Sequence, residues 1–271
     1  MTFLKSFCIA ILLIYLLVLL LVYIYQGKLI FHPSKLGLDY KFELGELDKE
    51  IFLKTDDGQT INAIHFCSNN KRVVLYFHGN AGVLNSWQNT SAHFDGMHTD
   101  LLVIDYRGYG KSTGTPTEQG LYLDAEAAYN YLISNGYDKD SIIVYGRSLG
   151  SGVASYIAAK FGCRKLILET PYTSMVDISK SIHPYFFPQY TLKHRFSNMR
   201  YMPQINADML ILHGTHDALI PVSHCKEIYE ATRSHSKLVV IKNGEHNNLP
   251  TFDEYTNALR EFLNNTITLY P

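Results

Sequence analysis

The first residue that could do chemistry is a serine between two glycines. Residues 146–150 read GRSLG, the pattern G-x-S-x-G. The apolar run 142–145 precedes this pattern, and the small residues of 151–155 follow it. That order predicts a strand, a sharp turn and a helix, with the hydroxyl of Ser148 standing clear of the backbone at the turn. The pattern therefore predicts a nucleophilic serine; the alternative is a serine that only caps the helix.

A serine hydroxyl is a weak nucleophile at neutral pH and needs a neighbouring base. His246 is the candidate among the 12 histidines, because it lies in the loop after the last predicted strand, 238–241. Asp217 lies in the loop after the preceding strand, 209–212, and can accept a hydrogen bond from the imidazole. The sequence thus predicts Ser148, Asp217 and His246 as a catalytic set.

Other side chains compete for these roles. Glu169 and Asp105 each follow a predicted strand and could orient the base, although we expect Asp105 to hold its own loop. His213 and His216 lie beside Asp217 and could suggest a metal site. Because a second cluster of ligands is missing from the sequence, we predict no metal.

An attacking serine creates an oxyanion, which needs donors fixed before the reaction. One expected donor is the backbone N–H of Leu149, the residue after the nucleophile. The other is expected in the loop 78–82, which reads HGNAG. We place it at the N–H of Asn80, with Ala81 as second choice; an ordinary glycine-rich turn is the alternative.

The elements that must position these groups alternate along the chain. Residues 51–54 and 61–67 flank a turn sequence and predict a hairpin. Further apolar runs predict strands at 73–77, 101–104, 142–145, 166–168, 209–212 and 238–241. Helical stretches lie between them at 84–94, 118–135, 150–161, 223–232 and 252–263. This alternation predicts a doubly wound, mostly parallel sheet.

Residues 171–203 break the alternation. They contain four prolines and seven aromatic residues, which oppose one long helix or a central strand. We predict a short helical cap over the sheet. Its aromatic residues either line a site for an apolar substrate or hold the cap onto the core.

The N-terminus carries the longest apolar run. Residues 7–25 contain no charge and would form a helix about 28 Å long, close to the hydrocarbon thickness of a bilayer. A cleaved signal is the alternative, but the exit VYIYQGK lacks the small residues of a cleavage site. We predict a single-pass membrane anchor over 1–28, a linker over 29–50 and a catalytic domain over 51–271. The lysines on the two flanks do not decide which side of the membrane the domain occupies.

The composition excludes some partners. The formal net charge is −1, and the basic residues form no run, so we expect no nucleic-acid partner. The four cysteines form no C-x-x-C pair, which favours buried thiols over disulfides. Gly110, Lys111 and Ser112 resemble the end of a phosphate-binding loop, but residue 105 is an aspartate where that motif needs glycine.

Five motifs together resemble the α/β-hydrolase superfamily. They are FHGNAG at 77–82, DYRGYGKS at 105–112, YGRSLG at 145–150, LHG at 212–214 with Asp217, and HN at 246–247. The likeness is closest to the single-pass, membrane-anchored branch that includes acyl-protein depalmitoylases. It implies an α/β-hydrolase fold with a cap insertion at about 171–203, preceded by one transmembrane helix.

By the same resemblance, Ser148, Asp217 and His246 take the triad roles. The implied activity is hydrolysis of an ester or thioester in a small-molecule or acylated-protein substrate, without a cofactor. Two features depart from the branch: the cysteine-rich N-terminus of the depalmitoylases is missing, and Ser151 stands where glycine is common. A catalytically silent, membrane-anchored binding scaffold is the alternative.

Overall fold

A computed structural model of the chain describes residues 2–264, apart from the side chains of Thr2 and Gln88. Eight strands form one sheet in these residues, in the order β1-β2-β4-β3-β5-β6-β7-β8. The strands are β1 Lys49–Lys54, β2 Thr60–Phe66, β3 Val73–Phe77, β4 Asp100–Ile104, β5 Ile142–Arg147, β6 Lys165–Glu169, β7 Asp208–Gly214 and β8 Ser236–Ile241. Strands β1, β2 and β4 pair antiparallel, and β3 to β8 pair parallel with their neighbours.

Helices cover both faces of the sheet. They are α1 Thr2–Ile30, α2 Leu84–Trp87, α3 Glu118–Ser134, α4 Leu149–Phe161, α5 Met175–Ile182, α6 Pro188–Thr191, α7 Asn198–Tyr201, α8 Ser223–Thr232 and α9 Asp253–Asn264. The core on one face packs α3, α4 and α8, and the core on the other packs α2 and α9. The predicted α/β-hydrolase fold, a doubly wound and mostly parallel sheet, is therefore confirmed.

The central strands are buried on both faces. Every residue of β3, β4 and β6 is buried, which explains why the apolar residues within these strands follow one another without alternation. Because the parallel strands point the same way, the loops that follow them meet at one edge of the sheet. That edge is where the candidate site lies.

The segment predicted as a cap folds as short helices. It contains α5, α6 and α7, with 3₁₀ turns at Pro184–Phe186 and Met202–Gln204. Ser174 caps α5 by accepting a hydrogen bond from the N–H of Asp177.

The stretch predicted as one helix over 84–94 is instead the single turn of α2 followed by a 3₁₀ helix, Gln88–Phe94. This stretch contains asparagine, threonine and serine side chains that compete for backbone hydrogen bonds, so an α-helix gains little there.

Helix α1 extends two residues beyond the predicted anchor. One stretch of it, Phe3–Ile30, is long and apolar enough to cross a membrane, a test that a signal sequence near the N-terminus also passes.

Candidate active site

Ser148 occupies the sharp turn between β5 and α4. Its backbone has φ 50° and ψ −118°, a conformation that non-glycine residues rarely adopt. The N–H of Ser148 donates a 2.9 Å hydrogen bond to the carbonyl of Glu169 at the end of β6, which fixes the turn. The strain is thus held in place by the neighbouring strand.

Two glycines make this turn possible. A Cβ atom on Gly150 would lie 2.0 Å from the carbonyl oxygen of Phe77, and one on Gly146 would lie 2.5 Å from the Cβ of Ala154. Any larger residue at either position would push α4 away from the sheet. The glycines of GRSLG are therefore required by packing around the serine.

The structure brings Ser148, His246 and Asp217 into one chain of hydrogen bonds. The Oγ of Ser148 lies 3.0 Å from Nε2 of His246, and Nδ1 of His246 lies 2.8 Å from Oδ2 of Asp217. With Nδ1 protonated toward the carboxylate, Nε2 is free to accept the serine proton. Both distances lie within the range that proton transfer requires.

The carboxylate of Asp217 is held by its own loop. Its Oδ1 accepts hydrogen bonds from the N–H groups of Leu219 at 2.9 Å and Ile220 at 2.8 Å. Burial raises the pKa of Asp217, but the hydrogen bonds from His246 and Ile220 outweigh burial and hold the pKa below its ordinary value. Asp217 is therefore ionised at neutral pH and suited to stabilise an imidazolium.

The other candidates for this role bond elsewhere. Asp105 accepts a 3.0 Å hydrogen bond from the N–H of Leu84, and Glu169 accepts one from the hydroxyl of Tyr145. His213, named above for a possible metal site, is fully buried; its Nε2 donates to the carbonyl of Ile220 at 2.8 Å and lies 3.4 Å from Oδ2 of Asp217.

The two backbone segments predicted to supply the oxyanion donors pass close to the serine. Leu149 is the first residue of α4, where a backbone N–H has no partner within the helix. A Cβ on Gly79 would lie 3.6 Å from the Cβ of Ser148, so the loop containing Asn80 passes close to the nucleophile. The hydroxyl of Tyr109 donates to the carbonyl of Asn80 at 2.8 Å and fixes this loop.

The side chain of Asn80 links the same loop to the end of α1. Its Nδ2 donates to the carbonyl of Ile30, and its Oδ1 accepts a 3.3 Å hydrogen bond from the N–H of His32. The sequence analysis missed this link between the N-terminal helix and the oxyanion loop.

Arg147 is a second residue that the sequence analysis missed. Its guanidinium donates to the carbonyl of His246 at 3.1 Å and to Oδ1 of Asn247 at 2.8 Å. It also forms an ion pair with the buried carboxylate of Glu169, with Nε 3.1 Å from Oε1, and stacks on Trp87 at 5.1 Å from the ring centre. The only signal in the sequence is the charge of Arg147 between glycine and the candidate nucleophile.

A cavity of about 430 Å³ opens above Ser148. Its walls are mostly apolar and come from the cap, the start of α4 and the loop after Asp217. The apolar residues from these three walls are Leu149, Tyr172, Met175, Ile178, Ile182, Leu219 and Ile220, and Ala81 and Trp87 also line the cavity. Such a cavity can hold an apolar chain next to the hydroxyl of Ser148.

Potential metal ligands group elsewhere. Within residues 2–264, one set of histidine, cysteine and acidic side chains lies close enough together to hold an ion: His65, Cys67 and Asp100. The four cysteines all fall in this described part of the chain and form no disulfide. Lys111, from the rejected phosphate-loop motif, instead bonds the carbonyl of Tyr40 and forms an ion pair with Glu50.

The chain resembles a known protein family and individual proteins. A model of the alpha/beta hydrolase fold family matches residues 72–200. An uncharacterised protein of Acanthamoeba polyphaga mimivirus is 32% identical over 238 residues, covering 79% of this chain and 80% of its own. An uncharacterised protein of Mycobacterium tuberculosis is 26% identical over 258 residues, covering 93% and 92%.

Solved structures share the fold. An esterase of Pyrococcus furiosus aligns with a TM-score of 0.70 and 19% identity, covering 86% of this chain and 97% of its own. An esterase of Exiguobacterium antarcticum aligns with a TM-score of 0.62 and 19% identity, covering 79% and 99%. A bromoperoxidase of Bacillus anthracis aligns equally well, with a TM-score of 0.62 and 19% identity, covering 80% and 100%. At these identities the likeness is one of architecture.

Proposed function

This chain belongs to the α/β-hydrolase fold family, and on that premise we propose that it is a serine hydrolase that cleaves carboxylic ester or thioester bonds. One observation carries the proposal. Ser148, His246 and Asp217 form a hydrogen-bonded chain, with distances of 3.0 and 2.8 Å, at the floor of an apolar cavity. The carboxylate, imidazole and hydroxyl are those that acyl transfer needs, in the order in which it needs them.

The reaction proceeds in two steps. As Ser148 attacks the carbonyl carbon, Nε2 of His246 takes the hydroxyl proton and Asp217 stabilises the imidazolium. The oxyanion accepts hydrogen bonds from the backbone N–H groups of Asn80 and Leu149. His246 then gives its proton to the leaving alcohol or thiol, and an acyl-enzyme remains. Water attacks this ester by the same route and restores the serine.

The surroundings of the serine support an apolar acyl group in the substrate. The cavity is lined by aliphatic side chains from α5 and by Tyr172, and few charged groups face it. Helix α1, whose last residue bonds the side chain of Asn80, would hold this cavity at a membrane. We therefore propose a single-pass anchor and substrates that are lipid-like or acylated, as in the membrane-anchored branch that the motifs resemble.

Covalent labelling tests the proposed chemistry. A fluorophosphonate probe should label the full chain, and Ser148→Ala should abolish the labelling. Ser86→Ala, which removes an exposed hydroxyl from α2, is the matched control and should label like the wild type. If the folded wild-type protein is not labelled, the chain is instead a silent scaffold. A series of p-nitrophenyl esters of increasing chain length, followed by acyl thioesters, then defines the preferred acyl group.

A further inference from the structure

Helix α1 contacts the cap at two levels, at Tyr15 and at Gln26. Its less exposed residues recur every three or four positions and so lie on one face of the helix. They are Tyr15, Leu19, Val22, Gln26 and Ile30, with Gly27 beside Gln26. A helix that served only as a tether would contact the domain at its end alone.

The hydrogen bonds between α1 and the cap show which residues of the two segments lie side by side. Near the end of α1, Nε2 of Gln26 donates to the carbonyl of Thr191 at 3.1 Å, and Oε1 of Gln26 accepts from the N–H of Lys193 at 2.6 Å. Eleven residues earlier, the hydroxyl of Tyr15 donates to the carbonyl of Tyr185. At 1.5 Å per residue, these two levels are about 16 Å apart along the helix. Residues 185–193 therefore run beside the apolar part of α1.

The outer surface of this part of the cap is apolar as well. Its exposed large side chains are Ile182, Tyr185, Phe187 and Tyr190. Lysines flank it at the level where the apolar run of α1 ends: Lys193 places Nζ 3.9 Å from the centre of the Tyr23 ring, and Lys28 lies over Tyr25. Aromatic residues and lysines at one level are typical of the boundary between lipid tails and phosphates.

We propose that residues 182–190 of the cap are inserted into one leaflet of a phospholipid bilayer, beside α1. The inference rests on the proposed anchor: if α1 spans the bilayer, the surface fixed beside Tyr15 lies below the phosphates. Ile182 and Leu219 line the cavity and are 55% and 59% exposed, so its mouth lies at the edge of the inserted surface. An acyl chain then reaches Ser148 from the leaflet without crossing water.

Depth-dependent quenching tests the insertion. Phe187 in the cap and Phe52 on β1 are 47% and 49% exposed, so Phe187→Trp and Phe52→Trp form a matched pair. Each full-length variant is placed in phosphatidylcholine vesicles with and without brominated acyl chains, and the signal of the native Trp87 is subtracted. Bromine should reduce the added emission of Phe187→Trp about twofold or more, and leave Phe52→Trp unchanged. Equal emission of both variants in the two lipids would overturn the insertion.

Turnover gives a second, independent test. The double variant Phe187→Ser, Tyr190→Ser should hydrolyse a long-chain ester embedded in vesicles about tenfold more slowly. Its activity on soluble p-nitrophenyl acetate should stay within about twofold of the wild type, since neither residue lines the cavity. An equal loss on both substrates contradicts the inference.

The two proposals fail separately. Normal fluorophosphonate labelling without quenching contradicts the insertion and supports the serine hydrolase. Quenching without labelling contradicts the serine hydrolase and supports the insertion. A full chain that does not float with vesicles in a density gradient overturns both the anchor and the insertion.

Discussion

Polar clusters of similar composition and different character lie at the two ends of the parallel strands, called here the two edges. At the carboxyl ends of the parallel strands, Ser148, His246 and Asp217 lie below the 430 Å³ apolar cavity. At the opposite edge, His65, Cys67 and Asp100 lie at a larger cavity of about 710 Å³. Each cluster offers an imidazole, a carboxylate and a possible nucleophile.

Hydrogen bonding separates the two clusters. His65 lies between the hydroxyls of Tyr131 and Tyr137, each 3.2 Å from a ring nitrogen. Asp100 accepts hydrogen bonds from the hydroxyl of Tyr137 and from the N–H of Ser68 at 2.8 Å. These contacts occupy the hydrogen-bonding groups of His65 and Asp100 within the cluster.

The nucleophiles differ as well. Burial raises the pKa of the Cys67 thiol, and the nearby charge of Asp100 raises it further, so the reactive thiolate is disfavoured. Ser148 instead has a base at hydrogen-bond distance and a backbone held in a strained conformation. Reactivity follows from that arrangement, and neither the size of a cavity nor the presence of polar residues indicates it.

The largest effect is expected from the serine itself. Ser148→Ala should lower kcat for a soluble p-nitrophenyl ester by about 10⁶-fold, because no other nucleophile replaces it. Cys67→Ser at the opposite edge should change kcat/KM by less than about twofold. Steady-state kinetics of both variants check this prediction. An inactive Cys67→Ser beside an active Ser148→Ala would place the reactive cluster at the opposite edge.

Asp217→Asn should lower kcat by about 10⁴-fold, because an amide in place of the carboxylate favours the wrong tautomer of His246. Asp100→Asn is the control at the other edge and should keep its activity. We expect the loss in kcat, with circular dichroism showing that both variants are folded. A folded Glu169→Gln variant that is inactive, together with an active Asp217→Asn, would transfer the orienting role to Glu169.

Arg147 is expected to act as a positioning residue. It joins the end of β5 to the loop of His246, and a small displacement of a catalytic group costs up to about 100-fold in rate. Arg147→Met should therefore lower kcat by about 10- to 100-fold with little change in KM. Arg147→Lys keeps the charge but cannot make the forked contacts, so its kcat should lie between those of the wild type and of Arg147→Met. A wild-type kcat in Arg147→Met would show that the loop of His246 keeps its position without Arg147.

The sequence points to Ser148, Asp217 and His246 because each follows directly from a local pattern. A buried strand, a loop and a helix place Ser148, and the same alternation places Asp217 and His246 at the ends of β7 and β8. Parallel strands then bring distant loops to one edge without further information. The fold and the candidate site are predictable for this reason.

Contacts between distant side chains leave no such local pattern. The bond from Arg147 to Asn247 joins residues 100 positions apart, and the contact of Tyr15 with Tyr185 spans 170. Neither pair has a spacing or a composition that predicts it. These contacts near the site, and the one from Asn80 to Ile30, depend on how the finished elements pack.

The smallest predicted effect concerns the pH dependence of stability at the edge opposite the site. Burial lowers the pKa of His65 below its ordinary value of 6.5, and the charge of Lys49 acts in the same direction, against the opposing charges of Asp100 and Asp48. The unfolded chain then binds a proton at this residue before the folded chain does, so acidification through pH 6.5 favours unfolding. His65→Gln removes this contribution, and its urea midpoint should fall less than that of the wild type between pH 7.5 and pH 5.5, values chosen to lie about one unit either side of the ordinary pKa. If His65→Gln loses as much stability as the wild type on acidification, the cluster at this edge does not hold a neutral imidazole.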